Sequence, residues 1–124
     1  MSILLGLNRA AQAAIGSTHP KFFLGAALYY KRTLLSTGAN KSTTHPIMKE
    51  RTYKETLHAE MQAILRAPSI PKGSIIYVYR FRKCGTPGMA KPCNICMEFI
   101  RKTGIKKVVY TDPLGKEGFA QLQL

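Results

Sequence analysis

The sequence predicts an α/β fold in which helices cover the faces of a mixed β-sheet, and three observations carry this. Two strand-like runs, residues 22–30 and 33–39, flank the polar pair Lys31-Arg32, the signature of an antiparallel hairpin. Beyond residue 56, helical and strand-like patterns alternate, which makes the later strands parallel because each return must cross over through a helix. Finally, 124 residues with 45% hydrophobic and 9% aromatic content suffice for one core in one domain. Such a chain buries roughly two thirds of its unfolded surface and needs no disulfide staples.

Each element follows from local chemistry. Residues 8–18 (NRAAQAAIGST) are rich in alanine and precede Pro20, predicting a first helix over about 6–17. The apolar start at residues 1–7 is interrupted by Asn8, Arg9 and Gln12. It is too short for a signal segment or a membrane span, so the expectation is a cytoplasmic protein with no membrane partner. After the hairpin, NKSTTHP at 40–46 reads as a surface loop. In 56–67, Leu57, Met61, Ile64 and Leu65 recur at helical spacing until Pro68 and Pro71 stop the helix. Residues 74–81 (SIIYVYRF) form a nearly continuous apolar, β-branched run suited to a sheet centre. A loop with two glycines and two prolines, 82–92, then delivers the chain to Cys93. Ile95, Phe99 and Ile100 mark another helix ended by Gly104, and residues 106–111 a further strand.

The charge balance is extreme: 19 Lys+Arg against 6 Asp+Glu, a formal charge of +13. Such a surface attracts phosphate on a nucleotide, a polynucleotide or an anionic membrane without choosing among them. The cations fall in three groups: Lys49, Arg51 and Lys54; Arg80, Arg82, Lys83 and Lys91; Arg101, Lys102, Lys106 and Lys107. Any one group is equally well an ordinary solvated surface.

Three side chains suggest a metal site. Cys93 and Cys96 stand one turn apart at a helix start, where free backbone N–H groups and the helix dipole favour thiolates. His58, at the start of the preceding helix, supplies a third ligand if the two helix N-termini lie at one sheet edge. Three ligands leave the fourth tetrahedral position to water, the arrangement of a catalytic zinc. Glu60, two residues after His58, reaches the same place without ligating and would move protons. A redox pair, or half of a four-cysteine structural site, fits less well because no second Cys-x-x-Cys exists. Cys84 reads as a loop thiol, and His19 and His45, each followed by proline, as loop or cap residues.

His58-Ala59-Glu60 and Pro92-Cys93-Asn94-Ile95-Cys96 spell H-x-E and P-C-x-x-C. Together with HAEMQAI and PCNICMEFIRKTGIKKVVY, they make residues 34–110 resemble the cytidine/deoxycytidylate deaminase superfamily. The resemblance implies a three-layer α/β/α fold with a five-stranded mixed sheet: an antiparallel N-terminal hairpin and parallel later strands. It also implies one Zn2+ per chain on His58, Cys93 and Cys96, with Glu60 as the proton carrier in converting cytosine to uracil. Asn40 falls where relatives contact sugar or base, and the backbone N–H of Ala59 where they face the pyrimidine carbonyl. Tyr110, at a strand end, would pack against a base or serve the core. Assembly as a homo-oligomer is a further implication.

Departures from the family's branches narrow the substrate. Nucleoside deaminases commonly have cysteine where this chain has His58. Adenosine-acting tRNA deaminases have glutamate before Pro-Cys, here Lys91, and APOBEC-type enzymes have Ser-Trp-Ser, here Met89-Ala90-Lys91 in a chain without tryptophan. The expectation is therefore a free cytosine nucleotide, dCMP or CMP. The alternative is cytosine in single-stranded DNA or RNA. It draws on the basic surface, on the aromatic residues Tyr77, Tyr79, Phe81 and Tyr110, and on a loose similarity of TDPLGKEGFAQL to polynucleotide deaminases. A third reading, a non-catalytic zinc-dependent nucleic-acid-binding module, gives Glu60 nothing to do.

Overall fold

The computed structural model describes residues 3–17, 23–40, 58–82, 85–115 and 117–124. The elements run α1 (Ile3–Ala14), β1 (Phe23–Tyr30), β2 (Thr33–Ala39), α2 (Ala59–Arg66), β3 (Ser74–Phe81), β4 (Pro87–Gly88), α3 (Asn94–Arg101), β5 (Ile105–Thr111) and β6 (Phe119–Gln123).

The sheet order is β2-β1-β3-β5-β6, with the two-residue β4 paired to the end of β3. β1 and β2 form the expected antiparallel hairpin, pairing Tyr30 with Thr33 across Lys31-Arg32. Lys31 takes a left-handed φ of 55° to close the turn. β3 is antiparallel to β1 and parallel to β5, the crossover running through α3.

The parallel relation predicted for the later strands thus holds for β3 and β5. β6 completes the row of five strands but returns antiparallel to β5, pairing Thr111 with Phe119. A tight turn explains the reversal: the Asp112 Oδ1 accepts from the Leu114 N–H, and the Asp112 N–H donates to the Gly118 carbonyl at the left-handed Gly118.

Strand alternation sorts the core into two layers. Ala26, Leu28, Ile76, Val78, Val108 and Tyr110 face Ala59 and Ala63 of α2 and Met97 and Ile100 of α3. The intervening Ala27, Tyr29, Tyr77 and Val109 face Leu7 and Ala10 of α1. Tyr29 meets Tyr77 edge-on, with ring centroids 5.7 Å apart. This is the three-layer α/β/α arrangement. α1 is displaced about a turn from the predicted 6–17, because its buried stripe is Gly6, Leu7, Ala10 and Ala14. α2 ends where predicted: Ala67, ahead of Pro68, is already extended at φ −69°, ψ 129°.

Two glycines permit the layers to close. A Cβ on Gly25 would lie 2.0 Å from the Ala10 carbonyl oxygen of α1. One on Gly38 would lie 2.4 Å from the Ala59 carbonyl oxygen and 2.6 Å from the Ala63 nitrogen of α2. Gly38 therefore sets how near β2 comes to the first turn of α2. Among the described residues, no helix is long and apolar enough to cross a membrane.

Candidate active site

The two motif-bearing helices start side by side. His58 is the N-cap of α2 at φ −73°, ψ 145°, and Cys93 the N-cap of α3 at φ −68°, ψ 168°. Each N-cap carbonyl accepts the first bond of its helix, from Gln62 N–H at 3.0 Å and Met97 N–H at 2.9 Å. Neither N-cap side chain makes a capping hydrogen bond; both are committed to the site instead. Met61, against Ile95 and Phe99, joins the helices just behind their starts.

His58 Nδ1 lies 3.1 Å from Cys96 Sγ and 3.6 Å from Cys93 Sγ, and the three potential ligand atoms lie within 4.8 Å of one another. A tetrahedral zinc with ordinary bond lengths would set N···S distances of about 3.6 Å and S···S distances of about 3.8 Å. The donor set fits: one imidazole nitrogen and two sulfurs, with Cys96 buried and Cys93 half-buried, could hold one metal ion. The electrostatics agree. The Cys93 thiol is held down to about 4, first by the Cys96 thiol donating to it and then by His58. Cys96 is pushed up by that same bond and by burial. His58 is raised, chiefly through its bond with Cys93. A thiolate, a thiol and an imidazole thus share protons in a space where a dication would displace them.

Glu60, in the first turn of α2, is only 4% exposed. Burial raises its carboxyl above the ordinary range, opposed by its own backbone N–H and by His58. The structure brings His58, Cys93 and Cys96 together, and Glu60 stands in the first turn of the helix that His58 caps, where its carboxyl and the two cysteines influence one another electrostatically.

Asn40 lies at the end of β2, also 4% exposed. Its N–H donates to the Leu24 carbonyl at 3.1 Å, and its Oδ1 accepts from the Leu24 N–H at 2.9 Å and from the Ser17 hydroxyl. The preceding Ala39 N–H donates to Gln62 Oε1 at 2.9 Å, which brings the end of β2 to the His58 end of α2. Ala59 is fully buried there. Tyr110 is 9% exposed and packed in the core layer beneath α2 and α3. Cys84, His19, His45, the predicted loop beyond Asn40 and the cluster Lys49, Arg51 and Lys54 lie outside the described residues, whereas α2 starts at Ala59 rather than at 56 because His58 is extended.

Three positioning contacts escaped the sequence. Besides Ser17 and Gln62, the buried Thr111 hydroxyl donates to the Gly88 carbonyl at 2.6 Å and accepts from the Arg80 N–H at 3.2 Å. Its own carbonyl accepts from the Ala90 N–H at 2.9 Å. Thr111 therefore pins the loop leading to Cys93. A lone serine, glutamine or threonine carries no motif that would have singled it out.

Residues 4–112 match the family described as the cytidine and deoxycytidylate deaminase zinc-binding region. The chain belongs to this family. A curated relative, riboflavin biosynthesis protein RibD of Bacillus amyloliquefaciens, is 35% identical over 98 residues. That alignment covers 79% of this chain but only 22% of RibD, so the chain spans about a fifth of that relative's length. The fold is similar to apo dCMP deaminase from cyanophage S-TIM5, with TM-score 0.65, 22% identity and coverage of 90% of this chain and 85% of that one. It is also similar to cytidine deaminase from Burkholderia pseudomallei, with TM-score 0.67, 19% identity and coverage of 99% and 93%. As a member of a zinc-binding deaminase family, the chain carries in His58, Cys93 and Cys96 a set able to hold the family's metal.

Proposed function

We propose that this chain catalyses hydrolytic deamination of a cytosine base to uracil in a free nucleotide, dCMP or CMP. The observation that carries the reading is the buried Glu60 carboxyl beside the His58, Cys93 and Cys96 cluster. A purely structural metal site has no use for an acid there.

His58, Cys93 and Cys96 would hold one zinc ion. When bound, zinc supplies the Lewis acidity that makes water a competent nucleophile near neutral pH. The remaining work belongs to protein groups. Glu60 takes a proton from the attacking water and passes it to ring nitrogen N3 as C4 becomes tetrahedral. It then moves the proton of the new hydroxyl to the amino group, so that the C4–N bond breaks and ammonia leaves. A carboxyl raised by burial suits both halves of this cycle. The Ala59 N–H binds the pyrimidine carbonyl, and the Asn40 amide nitrogen donates to sugar or base, its oxygen being engaged by Leu24 and Ser17. Lys91 and Arg82, exposed on the loop before Cys93, offer charge to a 5′-phosphate.

Support for a nucleotide comes from the departures at His58, Lys91 and Met89 and from the similarity to a cyanophage dCMP deaminase whose structure holds dCMP and dUMP. The test is a deamination panel of dCMP, CMP, cytidine, a non-cytosine aminopyrimidine nucleotide, single-stranded DNA and RNA across salt concentrations. Turnover of dCMP or CMP with a weakly salt-dependent KM is the expected result. Uracil formation in a polynucleotide, with affinity falling at a log–log slope of about −0.7 per phosphate contact and no turnover of a monophosphate, would replace this reading.

A further inference from the structure

We infer that Ser17, at the end of α1, is a positioning residue for the substrate amide of Asn40. The inference rests on the proposed role of Asn40 and adds the device that holds it. α1 terminates in a turn in which the Gly16 and Ser17 N–H groups donate to the Ala13 and Ala14 carbonyls. The turn places the Ser17 hydroxyl 2.5 Å from Asn40 Oδ1 and 3.0 Å from the Asn40 main-chain oxygen, across 23 residues of sequence. The close approach of α1 to β1 at Gly25 makes that reach feasible.

The consequence lies in the two ends of the amide. Oδ1 sits between two donors, the Ser17 hydroxyl and the Leu24 N–H. A flipped amide would set its NH2 group against the Leu24 N–H at 2.9 Å, donor against donor. The acceptor end is therefore fixed toward the scaffold, and the donor end is the one presented elsewhere. The Leu24 N–H, being backbone, fixes the direction of the flip. Ser17 adds a second point of attachment from a different layer, which holds the amide plane against rotation. Thus α1, which supplies neither metal ligand nor acid, shapes the site from the opposite face of the sheet. Preordering a donor lowers the entropic cost of binding and leaves the chemical step alone.

The experiment pairs S17A and S17T with N40D. The aspartate retains acceptors for the Leu24 N–H and the Ser17 hydroxyl while deleting the NH2 donor. Calorimetric affinity for dUMP and steady-state kinetics on dCMP and CMP are measured in each variant and in S17A/N40D, with thermal midpoints as a check on folding. S17A is expected to weaken dUMP and raise KM by roughly two- to ten-fold, the span of one net hydrogen bond, with kcat within about two-fold of wild type. S17T should restore both values, and S17A should add nothing in the N40D background. A normal S17A alongside a weakened N40D would overturn the positioning role and leave Asn40 as a substrate contact. A full S17A effect persisting in N40D would also overturn it. Unchanged dUMP affinity in N40D would remove the Asn40 reading itself, and the role of Ser17 with it.

Discussion

Gly38→Ala tests whether the active site depends on how closely β2 approaches α2. The new Cβ would lie 2.4 Å from the Ala59 carbonyl oxygen, 2.6 Å from the Ala63 nitrogen and 3.0 Å from Gln62 Cβ. Two of these atoms are helix backbone and cannot rotate away. An ordinary contact begins at 3.4 Å, so strand and helix must part by about 1 Å. The separation would strain the bonds that now join them, Ser36 Oγ to the Ala63 carbonyl at 2.6 Å and Ala39 N–H to Gln62 Oε1 at 2.9 Å. Overpacking of this kind costs about 1–3 kcal/mol. For a chain of this length, that corresponds to a fall in Tm of roughly 4–12 °C. The moved segment carries His58 and Glu60, and a displacement of about 1 Å in a reacting geometry can cost about 100-fold in rate. Calorimetry, zinc stoichiometry and kcat should therefore all fall in G38A. G25A is the control: its Cβ would strike the Ala10 carbonyl oxygen at 2.0 Å and push α1, on the other face. It should lose stability while its folded fraction keeps zinc. A G38A protein with wild-type Tm and kcat would refute the reasoning.

Three further variants probe the site directly. Glu60→Gln should retain zinc and fold while losing roughly two to four orders of magnitude in kcat, as removal of an acid/base predicts; full activity would exclude Glu60 as the proton carrier. Cys93→Ala should reduce zinc from about one per chain to nearly none by elemental analysis of folded protein, since two ligands make a poor site; undiminished zinc would sink the ligand assignment. Thr111→Val keeps the shape but leaves the Gly88 carbonyl and Arg80 N–H without the hydroxyl, costing about 1–3 kcal/mol. Because that hydroxyl pins the loop before Cys93, zinc should also be lost more readily to a chelator, and an unchanged chelator titration would show that the pin is irrelevant to the metal.

What the sequence revealed follows from where the information is local. Ser74–Phe81 matched its predicted strand because a run of Ile, Tyr and Val flanked by Gly73 leaves little choice. The starts of α2 and α3 were legible because H-x-E and P-C-x-x-C place ligands where helices begin. β6 was not: Phe119–Gln123 contains alanine and two glutamines, and what makes it a strand is the neighbouring edge of β5. The same holds for Ser17 with Asn40 and Thr111 with Gly88, each 23 residues apart in sequence. Their partners are set by tertiary packing, which no spacing rule encodes. Tyr110 shows the limit from the other side: its strand position was readable, but its burial under α2 and α3 depends on the layers above it.

The position of the ligands has an energetic consequence for the fold. An N-cap occupied by serine, threonine, asparagine or aspartate stabilises a helix by about 0.5–2 kcal/mol through a side-chain bond to the first turn. α2 and α3 both forgo that bond, because His58 and Cys93 occupy their N-caps and point at each other. Each helix is also short, at 8 residues. A metal ion held between the two N-caps would add stability to these first turns, since metal binding to a folded site is folding free energy. α1 and the strands beneath it contribute no residue to that cluster. Chelation should therefore loosen the protein unevenly. Hydrogen exchange at the Gln62 and Met97 amides, which make the first bond of each helix, should accelerate by at least about ten-fold. The amides of Ile76, Val78 and Val108, in fully buried strand positions, should change far less. Uniform acceleration across all five would mean that the metal stabilises the whole fold as one cooperative unit, and the division into a metal-dependent layer and an independent one would be wrong.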